Sequence, residues 1–450
     1  MLVESFSGIR GLYNQEFIEA AKKYAKAYAD WLGKGKIIIG IDGRPSGEEI
    51  FKTVTRIFCK EGLEVIYAGI APTPAIQHAV RKFKLVGGLI ISGSHNEPEY
   101  NGLKFLQNNG AILNPEDVDI LIKNSKSVNF EEGELKFENK NNEVIESYTN
   151  FILEKEDVSK TKIKVLVDPN GLAAVLVLKK LKEILGNNLI LVNEEIGMIN
   201  RLVEPNHESM QYLVELLKEK DIDMAFGFDG DADRVEIILK DGTMVDGNYV
   251  LGLVMDYVLS TQELGKTIVI NDVTSNLIYH LAKPYHAKIE EVEVGEINVV
   301  NKMVETKSIL GGEGSNGGVI VPPNRCRDGI LTMLQIMNFC KKKNSSIKKI
   351  IDSYPKYFSH RTIKVCTPNQ VPKLNKALQE YFSKKGITIQ TRGDETGSVK
   401  AYYQDSFLWF RTSKTEFGQY RIITDAPNIE KSKELLVEGA RIFDNLVKNL

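Results

Sequence analysis

The sequence predicts an α/β protein in which three related α/β domains with mixed sheets precede a C-terminal α+β domain, all arranged around a central cleft. Two observations predict this fold class. Strand-like segments alternate with helix-like segments over most of the chain, which is typical of α/β units with largely parallel sheets. The alternation stops near residue 354, where the pattern changes. Ligands of such sheets bind beyond the carboxyl ends of the strands, so three domains could each present a loop to one cleft.

One plan occurs three times along the chain. Each copy begins with a lysine and a short apolar strand that ends in an aspartate and a turn, within residues 36–44, 162–171 and 266–275. A helical stretch, a second strand, another helical stretch and a third strand follow in each copy. The third strand runs into a polar loop that contains glycine. We therefore expect the chemistry in these three loops.

The repeats and the change near residue 354 predict four domains. We expect them over residues 1–150, 151–250, 251–357 and 358–450, with a linker around 352–360. In the last domain, the pattern predicts a strand near 361–367, a helix near 371–386 and a C-terminal helix over 429–447.

The composition is that of a globular protein without a strong overall charge. Lysine and arginine number 58 against 60 aspartates and glutamates, so no global field attracts nucleic acid or a membrane surface. The N-terminus shows no secretory signal pattern, and no apolar run reaches the about 18 residues that suggest a membrane span. The four cysteines lack CxxC spacing, which is typical of reduced thiols. We therefore expect a cytoplasmic protein.

The first loop contains a serine with acid/base neighbours. Ser94 follows an apolar strand, with His95 beside it and Lys104 ten residues later. A serine in that company could be a nucleophile. Without further context, an ordinary polar turn explains the same residues.

The second loop, DGDADR, contains three closely spaced carboxylates. Asp229, Asp231 and Asp233 would project to one side of an extended segment, an arrangement that suits an oxygen-seeking cation such as Mg²⁺. An EF-hand is excluded because Arg234 and Lys240 occupy the positions of its glycine and its final glutamate. A solvated acidic turn is the alternative.

Two further segments offer groups for a sugar phosphate. The glycine-rich loop 311–318 carries Glu313, which could accept hydrogen bonds from sugar hydroxyls. Residues 411–415, with Arg421 beyond them, gather guanidinium, hydroxyl and amide donors that suit a phosphate dianion. Neither GxGxxG nor GxxxxGK[ST] occurs, so no nucleotide fingerprint competes.

Taken together, these segments resemble the α-D-phosphohexomutase superfamily, which includes phosphoglucomutases, phosphomannomutases and phosphoglucosamine mutases. The resemblance rests on FSGIRG, DGR, SGSHNEPEYNGLKF, DGDADR, GGEGSNGG and RTSKTEFGQYR, which follow one another in the family's order from residue 6 to about 421. The four domains would then carry, in order, a phosphoserine loop, a metal loop, a sugar loop and a phosphate loop.

The resemblance implies roles for individual residues. Ser94 would carry the transferred phosphoryl group, and its phosphate would bind one Mg²⁺ per chain together with Asp229, Asp231 and Asp233. Arg10 and Arg234 would flank the transferring phosphate, with Lys104 or His95 as general acid and base. Glu313, Ser315 and Asn316 would bind sugar hydroxyls. Arg411, Ser413, Thr415 and Arg421 would bind the distal phosphate.

The implied reaction interconverts the 1-phosphate and 6-phosphate of a hexose such as glucose or mannose. Phosphoserine and a hexose 1,6-bisphosphate would be intermediates, and the bisphosphate would also serve as activator. A phosphoglucosamine mutase and a non-catalytic sugar-phosphate-binding paralogue are alternatives, and a phosphatase would result if water reached phosphorylated Ser94. The sequence leaves open the preferred sugar, the resting phosphorylation of Ser94 and whether the chain forms a homo-oligomer.

Three departures from the family pattern blur substrate choice. Glu97 stands within the phosphoserine loop and would place a carboxylate beside the phosphate. Ser315 and Asn316 compete for one role in the sugar loop. The phosphate loop contains Lys414 and Phe417, and altered spacing leaves the direction of the Arg421 side chain open.

Overall fold

The computed structural model describes residues 2–5, 7–314, 317–413, 418–448 and 450. The chain divides into two compact units. The first consists of Met1–Asp246 and Asn316–Ile350, and the second of Gly247–Ser315 and Ile351–Leu450. None of the helices in the described part of the chain is long and apolar enough to cross a membrane.

The first unit begins with a mixed sheet flanked by helices. Its strands are β1 (Val3–Ser5), β2 (Gly8–Leu12), β3 (Lys36–Ile41), β4 (Glu64–Ile70), β5 (Gly87–Ile91), β6 (Tyr100–Leu106) and β7 (Glu138–Asn139). Its helices are α1 (Gln15–Leu32), α2 (Gly47–Lys60), α3 (Thr73–Lys82), α4 (Pro115–Ser125) and α5 (Asn141–Lys155). The strand order is β1-β2-β6-β5-β3-β4-β7. Residues 37–41 of β3 are all buried, as expected for a central strand covered on both faces.

A second sheet follows in the same unit. It contains β8 (Val165–Asp168), β9 (Leu189–Leu191), β10 (Met224–Phe228), β11 (Val235–Leu239) and β12 (Met244–Val245), in the order β12-β11-β10-β8-β9. The accompanying helices are α6 (Val175–Leu185), α7 (His207–Met210) and α8 (Tyr212–Lys220).

The second unit contains a smaller parallel sheet. Its elements are α9 (Gly247–Leu259), β13 (Thr267–Asn271), α10 (Leu277–Ala282), β14 (Lys288–Val292), α11 (Glu296–Thr306) and β15 (Leu310–Gly312). The chain then returns to the first unit, where it forms β16 (Val319–Ile320) and α12 (Gly329–Lys343), and α13 (Ile347–Asp352) leads back to the second unit.

The repeat predicted from the sequence is present in the three sheets. In each copy the first strand lies between the second and the third and runs parallel to both. The triplets are β4-β3-β5, β9-β8-β10 and β14-β13-β15. The third strand of each triplet ends where one of the three polar loops begins, so equivalent strand ends carry the candidate chemistry.

The last sheet is antiparallel and confirms the predicted α+β domain. It contains β17 (Phe358–Val365), β18 (Ile389–Arg392), β19 (Ser398–Tyr403), β20 (Ser406–Thr412) and β21 (Gln419–Ala426), with α14 (Val371–Lys384) and α15 (Ile429–Val447). Leu378, Phe410 and Ile442 belong to the core that the helices and the sheet share. The linker is shorter than predicted, because Phe358 already pairs with Ala426. The four domain bounds stay predictions.

Candidate active site

Ser94 lies in the loop of residues 92–100 that joins β5 to the antiparallel strand β6, here called the Ser94 loop. The backbone of Ser94 has a φ of 52°, a left-handed conformation that a serine keeps only when the surrounding structure holds it. The Ser94 N–H donates to Ser92 Oγ at 2.8 Å, and Ser92 Oγ donates to Asp42 Oδ2 at 2.6 Å. The buried Ser94 hydroxyl donates to Asp229 Oδ2 at 3.1 Å. The structure therefore brings the predicted nucleophile to the acidic loop.

The acidic loop, residues 229–234, is a tight turn between β10 and β11. The prediction of an extended segment is wrong, because Ala232 has a φ of 55° and its N–H donates to the Asp229 carbonyl oxygen at 3.2 Å. The turn nevertheless draws the three aspartates together. One carboxylate oxygen from each of Asp229, Asp231 and Asp233 lies within 4.8 Å of the others, and all three residues are buried.

Burial and crowding oppose ionisation of these carboxyl groups, and neighbouring cations counter that effect. Burial, together with Asp233 and Asp231, raises the pKa of Asp229 to about 7. Burial also disfavours the charged form of Asp233, but the cations Lys104 and Arg327 outweigh it and hold the pKa of Asp233 well below its ordinary value. The cluster therefore requires positive charge beside it.

The acidic loop fits a divalent cation. Asp231 Oδ1 and Asp233 Oδ1 are buried and have no hydrogen-bond donor within the described part of the chain. Leaving such oxygens without a partner is costly. Three carboxylates that converge in a buried turn form the hard oxygen donor set that suits Mg²⁺. An ordinary solvated acidic turn does not explain buried carboxylate oxygens that lack a hydrogen-bond donor among the described residues.

The predicted acid/base residues lie beside the carboxylates. Lys104, on β6, places Nζ 2.5 Å from Asp231 Oδ2 and 3.4 Å from Asp233 Oδ2. Burial would lower the pKa of Lys104, but these two carboxylates outweigh it and raise that pKa. His95 Nδ1 lies 3.2 Å from Arg234 Nη1, and burial together with Arg234 lowers the pKa of His95.

Arg10 completes the cationic side of the site. It lies on β2, opposite Gly102 of β6. Burial and the nearby Arg234 lower its pKa, while the three aspartates act in the opposite direction. All the residues predicted for catalysis and metal binding therefore lie around the acidic loop in the first unit.

Thr73 and Arg327 belong to the same cluster, although the sequence patterns did not indicate this. Thr73 begins α3, and its N–H donates to the Asp231 carbonyl oxygen at 2.9 Å while its hydroxyl donates to Asp231 Oδ2. Arg327 Nη2 lies 3.4 Å from Asp233 Oδ2. The signal available for Thr73 was the Thr-Pro helix start just beyond β4, at the strand ends where the loops meet.

Glu97 does not point its carboxylate at Ser94 as the sequence led us to expect. Its Oε1 accepts from the Val203 N–H at 3.1 Å. The carboxylate of Glu97, the residue that departs from the family pattern, is therefore hydrogen-bonded by the Val203 amide.

The residues predicted to bind sugar lie in the second unit as far as they are described. Glu313 Oε1 accepts from Asn271 Nδ2 at 2.9 Å and from the Gly295 N–H at 3.0 Å. One carboxylate oxygen is therefore already engaged by the protein. Ser315 and Asn316 fall outside the described residues.

The residues predicted to bind phosphate lie at one end of the antiparallel sheet. Arg411 on β20 is the direct cross-strand partner of Arg421 on β21, so both side chains stand on the same face. Arg411 Nη2 donates to Glu293 Oε1 at 2.7 Å, whereas its buried Nε has no hydrogen-bond acceptor among the described residues. The Ser413 N–H donates to the Gln419 carbonyl oxygen at 2.8 Å. Thr415 is not among the described residues.

Contacts within the second unit fix this sheet against the parallel sheet. Asp272, just beyond β13, accepts from Trp409 Nε1 at 3.0 Å and from Ser398 Oγ. The buried Lys400 donates to Glu291 Oε1 at 2.9 Å. Arg411 therefore lies on β20, and hydrogen bonds from β20 and from its neighbour β19 hold that strand against the parallel sheet.

Comparison with known proteins shows the family to which the chain belongs. Family profiles described as phosphoglucomutase/phosphomannomutase α/β/α domains I, II and III match residues 4–132, 146–242 and 246–357. A phosphoglucomutase/phosphomannomutase of Thermococcus kodakarensis is 33% identical over 459 residues, which cover 98% of both chains. The chain therefore belongs to the phosphoglucomutase/phosphomannomutase family of the α-D-phosphohexomutase superfamily and is an enzyme of the isomerase class that transfers a phosphoryl group within its substrate.

Other relatives carry other substrate names. A phosphoglucosamine/phosphogalactosamine mutase of Sulfurisphaera tokodaii is 29% identical over 455 residues, covering 97% of this chain and 98% of the relative. A solved family protein from Burkholderia thailandensis has the same fold, with a TM-score of 0.84 at 22% identity over 98% of this chain and 97% of its own.

A divalent cation held by the acidic loop should stabilise the folded chain. A ligand that binds only the folded state, at 100 times its Kd, adds about 2.7 kcal/mol to stability. We expect Mg²⁺ to raise the melting temperature after EDTA treatment and Asp231→Asn to remove most of that increase. Asp223 is exposed immediately before β10, the strand that leads into the acidic loop, and it is not one of the three clustered aspartates. Asp223→Asn should therefore respond to Mg²⁺ like the unmodified chain. Equal increases in both variants would place the cation elsewhere.

Proposed function

We propose that this enzyme interconverts hexose 1-phosphates and 6-phosphates, with glucose and mannose as its sugars, through phosphorylated Ser94 and a hexose 1,6-bisphosphate. The observation that carries the proposal is the Ser94 hydroxyl, which donates to Asp229 inside a buried carboxylate cluster. A purely structural role for this serine would not explain why it contacts a carboxylate cluster that is surrounded by a lysine and two arginines.

The first half of the reaction transfers the phosphoryl group from Ser94 to the sugar. The oxygen of the free sugar hydroxyl forms a bond to phosphorus while the bond between phosphorus and Ser94 Oγ breaks. The hydroxyl proton leaves, and a proton is returned to Ser94 Oγ. Lys104, within reach of Asp231 and Asp233, is our first candidate for holding that proton, and His95 is the second.

The surrounding charges suit a transferring phosphoryl group. Arg10 and Arg234 would bind its oxygens from the cationic side of the site. Mg²⁺, bound by Asp229, Asp231, Asp233 and the Ser94 phosphate, would supply Lewis-acid stabilisation of the charge on those oxygens. The buried oxygens of Asp231 and Asp233 that have no hydrogen-bond donor among the described residues support this choice of ligands.

In the second half, the bisphosphate must present its other phosphate to Ser94, so the enzyme has to hold either end of the sugar. We assign the distal phosphate to Arg411, Ser413, Thr415 and Arg421. Glu313, Ser315 and Asn316 would bind sugar hydroxyls. Two arginines on one sheet face support the phosphate assignment, because guanidinium pairs suit a dianion.

Solved structures of a related enzyme guide the choice of ligands for testing. An N-acetylphosphoglucosamine mutase of Aspergillus fumigatus, with a TM-score of 0.62 to this chain, is described in complex with GlcNAc-6P and magnesium. A second structure of that enzyme, with a TM-score of 0.61, is described with glucose 1,6-bisphosphate. We therefore propose hexose 1,6-bisphosphate as the activator of this enzyme.

A phosphoglucosamine mutase is the second candidate, because several relatives that cover nearly the whole chain carry that name. A coupled assay of glucose 1-phosphate, mannose 1-phosphate and glucosamine 1-phosphate, each with its bisphosphate, separates the two. We expect turnover of the glucose and mannose compounds to exceed that of the glucosamine compound. The reverse order would favour the second candidate.

Ser94→Ala should abolish most turnover in that assay, because it removes the oxygen that carries the phosphoryl group. The circular dichroism spectrum and melting curve should stay close to those of the unmodified enzyme. Ser127→Ala is a matched control, since Ser127 is exposed and donates to the local Asn124 carbonyl oxygen. Near-normal activity of Ser94→Ala would refute the mechanism.

Arg411→Ala should lower kcat/KM by roughly ten- to a hundredfold, because charge-assisted hydrogen bonds contribute on the order of 1.5–3 kcal/mol each. Arg421→Ala should have an effect of the same order, since it shares the sheet face with Arg411. Arg361→Ala, an exposed position on β17, serves as the control. Negligible losses in both Arg411 and Arg421 variants would place the distal phosphate elsewhere, for instance on Arg325; Arg327, the other arginine nearby in sequence, already lies beside Asp233.

A further inference from the structure

We propose that Glu97 is a positioning residue, which ties the Ser94 loop to the second sheet and so holds Ser94 in line with the acidic loop. This inference rests on the proposed role of Ser94 as phosphoryl carrier. It concerns Glu97, a residue by which this chain departs from the family pattern.

The Ser94 loop is first held from the side of its own sheet by Arg44. The side chain of Arg44 is fully buried and pairs with Asp42 at 2.7 Å. Its two terminal nitrogens donate to backbone carbonyl oxygens throughout the loop. The acceptors and distances are Ser94 at 2.7 Å, Asn96 at 2.8 Å, Glu97 at 2.8 Å and Tyr100 at 2.9 Å. A rigid guanidinium fork therefore sets the backbone path of the loop.

The acidic loop is packed against the same guanidinium. A Cβ atom at Gly230 would lie 2.6 Å from the Ser94 carbonyl oxygen and 2.9 Å from Arg44 Nη2. Neither distance is tolerable for a side chain, so only glycine permits this approach. The alignment of Ser94 with Asp229 thus depends on how closely the loops of the first and second sheets are held together.

Glu97 supplies a hydrogen bond between those two sheets. Its Oε1 accepts from the N–H of Val203, a fully buried residue in the segment 192–206 between β9 and α7. A buried backbone N–H needs an acceptor, and a hydrogen bond to a carboxylate is stronger than one to a neutral oxygen. This hydrogen bond therefore joins the Ser94 loop to a buried residue of the segment 192–206.

The segment that receives Glu97 is itself fixed by a buried arginine. Arg201 Nη1 donates to the Val203 carbonyl oxygen at 3.3 Å, and its Nε pairs with Asp168 at 2.5 Å. Asp168 and Asp42 are the equivalent strand-end aspartates of the second and first repeats. A continuous set of hydrogen bonds thus runs from Asp42 and Arg44 through Glu97 and Val203 to Arg201 and Asp168.

This geometry predicts a specific kinetic effect. Loss of the tie lets the Ser94 loop shift relative to Asp229, and a displacement of about 1 Å at a reacting group can cost on the order of a hundredfold in rate. Glu97 contacts Val203 rather than the Ser94 hydroxyl, so substrate binding should change little. The expected signature is a lower kcat with a nearly constant KM.

The test uses the full-length enzyme and three variants. In Glu97→Ala, we expect kcat with glucose 1-phosphate and glucose 1,6-bisphosphate to fall about tenfold while KM changes less than about twofold. Amide hydrogen exchange at Val203 should accelerate at least about tenfold, because its acceptor is removed. Glu97→Gln retains a carbonyl oxygen as acceptor and should restore both kcat and exchange protection to within about threefold. Glu99→Ala, at an exposed position of the same loop, should match the unmodified enzyme.

The outcomes separate this inference from the proposed function. Unchanged kcat and unchanged Val203 exchange in Glu97→Ala, together with an inactive Ser94→Ala, would overturn the positioning role and leave the carrier assignment standing. Equal losses in Glu97→Ala and Glu97→Gln would also overturn it, because the carboxylate charge rather than the hydrogen bond would then matter. Retained turnover in Ser94→Ala would overturn the carrier assignment and the positioning role with it.

Discussion

The buried ion pair of Arg44 with Asp42 is the interaction on which the rest of the site depends. Removing a guanidinium and a carboxylate from water is costly unless their remaining hydrogen bonds are satisfied. Here the cost is offset because Arg44 donates to the carbonyl oxygens of the Ser94 loop and Asp42 accepts from Ser92. The loop thereby acquires a fixed path in which Ser94 adopts a left-handed backbone and reaches the acidic loop.

The three repeats use their strand-end aspartates for related structural purposes. Asp42 orders the loop that carries Ser94. Asp168 orders the segment that receives Glu97, since it accepts from Arg201, Tyr212 and the N–H of Asn170. Asp272 anchors the antiparallel sheet through Trp409 and Ser398. One local plan, a parallel strand ending in a buried carboxylate, thus supports the nucleophile loop, its neighbour and the phosphate-binding strand.

Much of this organisation could be predicted from the sequence because local patterns determine it. Apolar strands such as residues 37–41 and the change of pattern after residue 354 identify the α/β repeats and the last domain. The grouping of Ser94 with the three aspartates was implied by the resemblance to the phosphohexomutases, because the two loops follow strands of different sheets. Contacts that join distant segments were not predictable in this way. Tertiary packing determines these contacts, and residue spacing in the sequence does not predict them. Examples are the turn at Ala232, the contact of Thr73 with Asp231 and the hydrogen bond from the Val203 N–H to Glu97.

The central claim is that Ser94 carries the phosphoryl group, and isotopic labelling tests it most directly. The enzyme is incubated with ³²P-labelled glucose 1,6-bisphosphate, digested, and the labelled peptide is located by mass spectrometry. The account predicts label on Ser94 that is discharged when unlabelled glucose 1-phosphate is added, at a rate no slower than turnover. Label on another residue, or label on Ser94 that persists during turnover, would contradict it.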